Sequence, residues 1–238
     1  MKLQNRTILI TGGTSGIGKE LALQLRANNR VIVTGVRKTK IEAASNSGLT
    51  ALPLNLSDKN SIEELVLKIE QDFPSLDVLI NNAGIQFNYD FIDDTDPGIK
   101  VEKELSTNLI GTIQLTQLLI PILATKPSLM INVTSALGSV PKSNGLLYSV
   151  SKAGLRNFHR GLKKIMKGQS LKLIELIPPV TDTEMTAGRE ETKMPAEELA
   201  ALAIKQIEQG KKLVAPFKIR LFLMINRLFP HVADRIIG

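Results

Sequence analysis

The 238-residue chain has no cysteine and no tryptophan, and only two histidines and two tyrosines. Without cysteine there is no disulfide framework and no thiolate metal site, which suits a reducing, cytoplasmic setting. His159 and His231 lie far apart in the sequence, so a histidine-based metal centre is not expected. Aromatic residues make up 4% of the chain, and no basic stripe carries interleaved aromatics, which argues against nucleic acid as a partner. Met1-Lys2-Leu3-Gln4-Asn5-Arg6 leads straight into a strand with no apolar signal core. No apolar run reaches the length that spans a bilayer, and there is no internal repeat or low-complexity segment.

What the chain does carry is an excess of positive charge, +7 overall. From Lys205 onward there are seven Lys or Arg against two Asp or Glu. Such a balance is read as a solvated basic surface, part of it taken by a phosphorylated cofactor. The length fits one large domain.

Along the chain, apolar runs alternate with helical patterns. Thr7–Ile10 reads as a buried strand. It runs into Thr11-Gly12-Gly13-Thr14-Ser15-Gly16-Ile17-Gly18 and then a helix. Strand, glycine loop and helix N-terminus together form a place for a pyrophosphate; the plain alternative is a glycine turn. Val31–Thr34 is the second strand. An NAD-binding protein would place an acid near its end; here stand Arg37 and Lys38, which suit the 2′-phosphate of NADP or merely cap a surface turn. Leu49–Leu54 is the third strand, and Ser57 or Asp58 caps a helix over Ser61–Phe73. Asp77–Ile80 is the fourth, ending in the small residues Asn82, Ala83 and Gly84, against which a flat ligand can lie. Phe87–Pro97 reads as an irregular loop. A helix over Ile99–Leu123 contains Asn108 and Gly111, read either as a kink or as the holder of a water that links the site to solvent. Leu129–Thr134 and Leu171–Ile177 are further strands. A charged segment over about 181–198 reads as a lid, a helix runs from Pro195 to Gln209, and Lys212–Ala215 is a last strand. This alternation predicts an α/β fold with a parallel sheet and helices on both faces.

Ser135 ends the fifth strand, and Tyr148 and Lys152 open the helix that follows. Four apart on a helix, they share a face. An ammonium beside a phenol is expected to lower its pKa from about 10, and a phenol so tuned can exchange a proton with a substrate oxygen. Ser135 would hydrogen-bond the same oxygen. The bland alternative is an exposed helix with a snorkelling lysine.

Taken together, the Thr11–Gly18 loop, Asn81-Asn82-Ala83-Gly84, Asn108, Ser135, and Tyr148 with Lys152 resemble the short-chain dehydrogenase/reductase family, in its compact Tyr-Lys form. The resemblance extends to about Ala215. Ile80 to Gln86 and Glu175-Leu176-Ile177-Pro178-Pro179 look most like its DltE-like branch. It implies a Rossmann-type doubly wound sheet of order 3-2-1-4-5-6-7 and hydride transfer between NADP(H), or NAD(H), and a carbonyl/alcohol substrate. By position, Tyr148 is implied as general acid and base. Lys152 would tune it and hold the nicotinamide ribose, Ser135 would polarise the carbonyl, and Asn108 would hold a relay water. The loop (Gly12, Thr14, Ser15, Gly16, Ile17, Gly18) is implied at the pyrophosphate, and Asn82, Ala83 and Gly84 at the adenosine-side ribose. Asn55 with Leu56 falls at the adenine, and Pro178, Val180 and Thr183 at the carboxamide and phosphates. Asn55 stands where the family usually has Asp, Pro178-Pro179 where it has Pro-Gly, and Arg37 one residue late. The family's two long helices imply a homodimer or homotetramer.

The tail, residues 216–238, is apolar with basic flanks. It is read as buried against the body, as a subunit contact, or as a peripheral contact with an anionic membrane. The last two keep an alternative function open: an NADP(H)-binding redox sensor or a membrane- or partner-associated scaffold with little turnover.

Overall fold

The computed structural model describes residues 2–92 and 97–237. Seven strands form one parallel sheet. In chain order they are β1 (Thr7–Ile10), β2 (Arg30–Gly35), β3 (Thr50–Pro53), β4 (Val78–Asn81), β5 (Ser128–Val133), β6 (Leu171–Leu176) and β9 (Leu213–Val214). Their spatial order is β3-β2-β1-β4-β5-β6-β9, with every described pairing parallel. This is the expected 3-2-1-4-5-6-7 order. β1, β4 and β5 are buried at every position, as strands covered on both faces must be.

Side chains alternate across a strand, so each strand feeds two cores. Ile8, Ile10, Val31, Val33, Ile80 and Ile131 pack with Leu21 and Leu25 of α1 (Gly16–Leu25) and Ala200, Ala203 and Ile207 of α7 (Ala196–Glu208). Leu9, Ile32, Leu79 and Met130 point the other way. They meet Ile62, Leu65 and Ile69 of α3 (Lys59–Asp72), Leu115, Leu119 and Leu123 of α5 (Gly111–Leu123), and Leu162 of α6 (Leu146–Ile165). Asp58 caps α3, its carboxylate accepting from the Asn60 N–H at 3.0 Å. Gly210, at φ +79°, follows α7 as the left-handed residue that ends a helix.

Three features depart from the sequence reading. A helix α2 (Lys38–Asn46) follows β2 where none was expected. The helix expected over Ile99–Leu123 is α4 (Pro97–Leu105), one π turn (Ser106–Ile110) and α5. As a unit, Gly98–Leu123 is long and apolar enough to cross a membrane, contrary to the expectation of no such run. It nonetheless buries Leu115, Leu119 and Leu123 in the core, as a core helix does. The segment expected as a lid contains two short paired strands, β7 (Thr181–Asp182) and β8 (Met194–Pro195). Residues 93–96 of the expected loop over Phe87–Pro97 lie outside the described residues.

The tail folds as α8 (Phe217–Leu228) and α9 (Pro230–Ile237). Phe222 and Ala233 pack with Val140, so one face of the tail is buried against the body.

Candidate active site

The carboxyl ends of β1, β2, β4 and β5 border a crevice of about 720 Å³. Gly12, Thr14, Ser15, Gly16 and Ile17 form its floor at one end, and Tyr148 and Lys152 stand at the other. Arg37, Asn55, Leu56, Asn82, Ala83, Gly84, Pro178 and Thr183 complete the expected residues that line it.

The glycine loop is shaped by close contact. Gly12 sits at φ +63°, and a Cβ there would meet the Ala83 Cα at 2.9 Å. Gly16, at φ +53°, would meet the Thr183 Cγ2 at 3.1 Å. Ser15 precedes α1 without a side-chain capping bond, so the first N–H groups of α1 have no side-chain acceptor of that kind. A helix N-terminus of this sort favours an anion.

Thr11 and Asn82 brace the loop. The Asn82 and Ala83 N–H groups donate to the Thr11 hydroxyl at 3.0 and 3.1 Å. The Asn82 side-chain amide donates to the carbonyls of Thr11 and Gly12 at 3.0 and 3.2 Å. Thr11 opens the glycine motif but had no role of its own in the sequence reading, yet its hydroxyl ties β1 to the end of β4. Gly18 does not line the crevice. It lets α1 approach this brace, since a Cβ there would lie 2.4 Å from the Asn82 Nδ2.

At the other end Tyr148 is 9% exposed and Lys152 3% exposed. Burial pushes the Tyr148 phenol up to about 12, with the Ser135 hydrogen bond and the Arg189 charge opposing it and the Glu104 carboxylate adding to it. Burial also pushes the Lys152 ammonium down to about 8. The expected lowering of the phenol by Lys152 is therefore corrected. Removing both groups from water disfavours both charged forms, and that outweighs their attraction. The geometry agrees: the Lys152 Nζ lies 5.6 Å from the Tyr148 ring centroid and donates to the Val133 carbonyl at 3.0 Å.

Ser135 does not border the crevice directly; its hydroxyl acts on the Tyr148 phenol, opposing the upward shift, and accepts from the Leu137 N–H at 3.1 Å. The strand end beside it is held by Glu175, whose Oε1 accepts from the Thr134 hydroxyl and from the Arg156 Nε, each at 2.8 Å. Asn108 is fully buried. Its Oδ1 accepts from the Ile85 N–H, and its Nδ2 donates to the Ile85 carbonyl, both at 2.8 Å, and to the Ser151 hydroxyl at 3.1 Å. Its Oδ1 would lie 3.3 Å, and the Lys152 Nζ 3.5 Å, from a Cβ placed on Gly84. Of these four, Tyr148 and Lys152 line the crevice, while Asn108 and Ser135 lie outside its lining, Asn108 beside Gly84.

Besides Gly18, three expected cofactor contacts need correction. Lys38 does not line the crevice; its side chain is 90% exposed and lies 4.0 Å from Glu42. Once α2 starts, its third residue, Lys40, takes that place. Val180 also lies off the crevice, its carbonyl accepting from the Met194 N–H at 2.9 Å within the lid. Asn55 borders the crevice, but its Oδ1 is turned back onto the Ser57 N–H and hydroxyl, at 3.1 and 2.8 Å. The segment expected as a lid adds a residue that the sequence did not single out. Glu184 lines the crevice and bonds Arg37 at 2.5 Å and Lys40.

The short chain dehydrogenase family profile matches residues 6–194. The uncharacterised oxidoreductase DltE of Bacillus subtilis (strain 168) is 33% identical over 187 residues, 77% of this chain and 74% of that protein. Serine 3-dehydrogenase of Rhizobium radiobacter is 30% identical over 192 residues, 77% of this chain and 75% of that enzyme. A short chain dehydrogenase from Burkholderia cenocepacia J2315, solved with NADP, superposes with a TM-score of 0.87 at 20% identity, covering 100% of this chain and 99% of that one. At that identity the likeness concerns the fold.

Proposed function

The chain belongs to the short-chain dehydrogenase/reductase family of oxidoreductases, and from that premise we propose that it prefers NADP(H) and acts on a carbonyl/alcohol pair, with Tyr148 as general acid in reduction and general base in oxidation. The observation that carries the reading is the buried Tyr148 phenol, with the Lys152 ammonium over its ring, standing in the same crevice as the glycine loop. The residues fit a dinucleotide: Gly12 leaves no room for a side chain, Gly16 holds a positive φ close to Thr183, and the start of α1 lacks a side-chain cap. Arg37 and Lys40 would hold a ribose 2′-phosphate. When bound, the nicotinamide supplies the hydride.

The chain's own groups do the rest. Tyr148 keeps its proton near neutrality, which is the state needed to protonate a carbonyl oxygen as it is reduced. The Lys152 ammonium over its ring stabilises the phenolate left behind, and the Ser135 hydroxyl steadies the substrate oxygen. Residues 1–215 act as one catalytic domain with the lid at about 181–198 and the tail at 216–238.

The resting protonation states set a pH dependence. Reduction requires the Tyr148 proton and the Lys152 charge. The phenol, pushed up to about 12, keeps its proton throughout the working range. The ammonium, held down to about 8, is charged below that pH and neutral above it. Turnover in reduction is therefore expected to be full below about pH 8 and to fall as pH rises through it. The check is a pH profile of NADPH oxidation against a panel of aldehydes, ketones and quinones, with NADH alongside. A profile flat to pH 10 for every accepted substrate contradicts the role of Lys152.

Two surfaces suggest partners. Leu118 on α5 and Val150 and Ile165 on α6 are apolar and exposed, which supports a homodimer through these helices. The outer side of α8 carries exposed Phe217, Leu221, Met224 and Leu228, spaced along one stripe with Lys218, Arg220 and Arg227 beside it. That stripe favours the second reading, a contact with an anionic membrane. Sedimentation tests both: a dimer in buffer supports the first, and pelleting with vesicles of anionic phospholipid, lost in Met224→Asp, supports the second. A monomer that never pellets contradicts both.

A further inference from the structure

We infer that Glu184 is a cofactor-selecting residue: its carboxylate sits between Arg37 and Lys40 in the place of a ribose 2′-phosphate, and NADP(H) must displace it to bind. The inference rests on the dinucleotide reading of the crevice and adds to it a competitor supplied by the lid.

The geometry is specific. One carboxylate oxygen of Glu184 accepts from the Arg37 guanidinium at 2.5 Å, and the other accepts from the Lys40 ammonium. These partners lie 147 and 144 residues away in sequence, so the contact joins the lid to the end of β2. All three residues line the crevice, on the side where Gly35, Leu54 and Asn55 also stand. The turn that carries the carboxylate is firmly held. It is a single 3-10 turn, Glu184–Thr186, closed by reciprocal bonds between Thr183 and Thr186. The Thr186 hydroxyl also donates to the Thr181 carbonyl at 2.6 Å. The two cations keep the carboxyl down to about 2, so it is an anion at any working pH.

Arg37 and Lys40 thus present two positive charges already engaged by one negative charge. A phosphate monoester dianion brought to the same cations meets a carboxylate that repels it and occupies the donors it needs. NAD(H), with a ribose hydroxyl at that place, carries no such conflict. The carboxylate lowers the affinity for the phosphorylated cofactor and leaves that for the other nearly alone. It also means that phosphate binding frees the Glu184–Thr186 turn from β2. Because Arg37 and Glu184 are 62% and 63% exposed, solvent screens the competition, and its size is about three- to tenfold in affinity.

Glu184→Gln keeps the shape and removes the charge, and the residue's exposure makes folding of the variant safe. Binding is read by nicotinamide fluorescence, with NADPH and NADH titrated into wild type and variant. The variant should bind NADPH roughly three- to tenfold more tightly and NADH with little change. A second readout needs no turnover: adenosine 2′,5′-bisphosphate should speed amide hydrogen exchange of the Glu184–Thr186 turn in wild type and not in Glu184→Gln. Unchanged or weaker NADPH binding by the variant overturns the proposal. So does a loss of NADH binding, which would make the carboxylate an acceptor for the ribose hydroxyl. Failure of both proteins to bind either dinucleotide overturns the oxidoreductase reading itself, and the proposal with it.

Discussion

Tyr148→Phe should bind NADPH as well as the wild-type chain does and turn over any accepted carbonyl at least ~10²-fold more slowly, the usual scale for a general acid. The substitution removes one oxygen and little else. The ring is buried and stays in its place, with the Lys152 ammonium still over its face. The glycine loop at the far end of the crevice is untouched, so dinucleotide affinity should hold. What is lost is the proton delivered to the carbonyl oxygen. A hundredfold corresponds to about 3 kcal/mol of transition-state stabilisation. Steady-state kinetics beside a binding titration separates the two effects. Equal turnover in wild type and variant would remove Tyr148 from the chemistry.

The second large effect is expected far from the reacting groups. Gly111→Ala should cost at least ~3 kcal/mol of stability, the upper part of the range for overpacking, and weaken dinucleotide binding at least about tenfold. A Cβ on Gly111 would lie 1.8 Å from the Leu56 carbonyl oxygen, 2.7 Å from its carbonyl carbon and 2.9 Å from its Cβ. The obstacle is backbone, so no rotamer change relieves it. Either α5 moves off the sheet, losing the packing of Leu115 and Leu119, or the segment Leu54 to Ser57 moves. That segment lines the crevice, so stability and affinity should fall together. In a chain of this length a loss of that size lowers Tm by roughly 6–12 °C. Thermal unfolding with and without NADPH checks it; a variant with wild-type Tm contradicts the close apposition of Gly111 and Leu56.

Much of this was legible in the sequence, for identifiable reasons. A strand covered on both faces is largely apolar, and Thr7–Ile10 reads as a buried strand on that ground. The glycine loop was legible because strand, loop and helix follow one another without interruption. α2 was missed because Ala44 is its one buried residue, so Lys38–Asn46 shows no apolar stripe. That omission produced the choice of Lys38 over Lys40, since only the helix decides which lysine turns inward. The spacing of Tyr148 and Lys152 correctly made them neighbours, but spacing carries no information about water. Their pKa directions follow from burial, which depends on elements brought in from elsewhere in the chain. Asn55 is turned by Ser57, a choice between local and ligand bonds that its residue type leaves open. Glu184 has no local signal at all, because its partners lie more than a hundred residues away.

The proposed chemistry needs a phenolic proton waiting beside the hydride of a bound nicotinamide. Crystals of the wild-type chain grown with NADP+ measure this most directly. The pyrophosphate should lie against Gly12 to Gly16, and the nicotinamide should reach the Tyr148 end. Its C4 and the Tyr148 hydroxyl should border one space in which a substrate carbonyl has its carbon and oxygen each about 3–3.5 Å from its reacting partner. A nicotinamide lodged elsewhere, or a Tyr148 hydroxyl facing away from that space, contradicts the account.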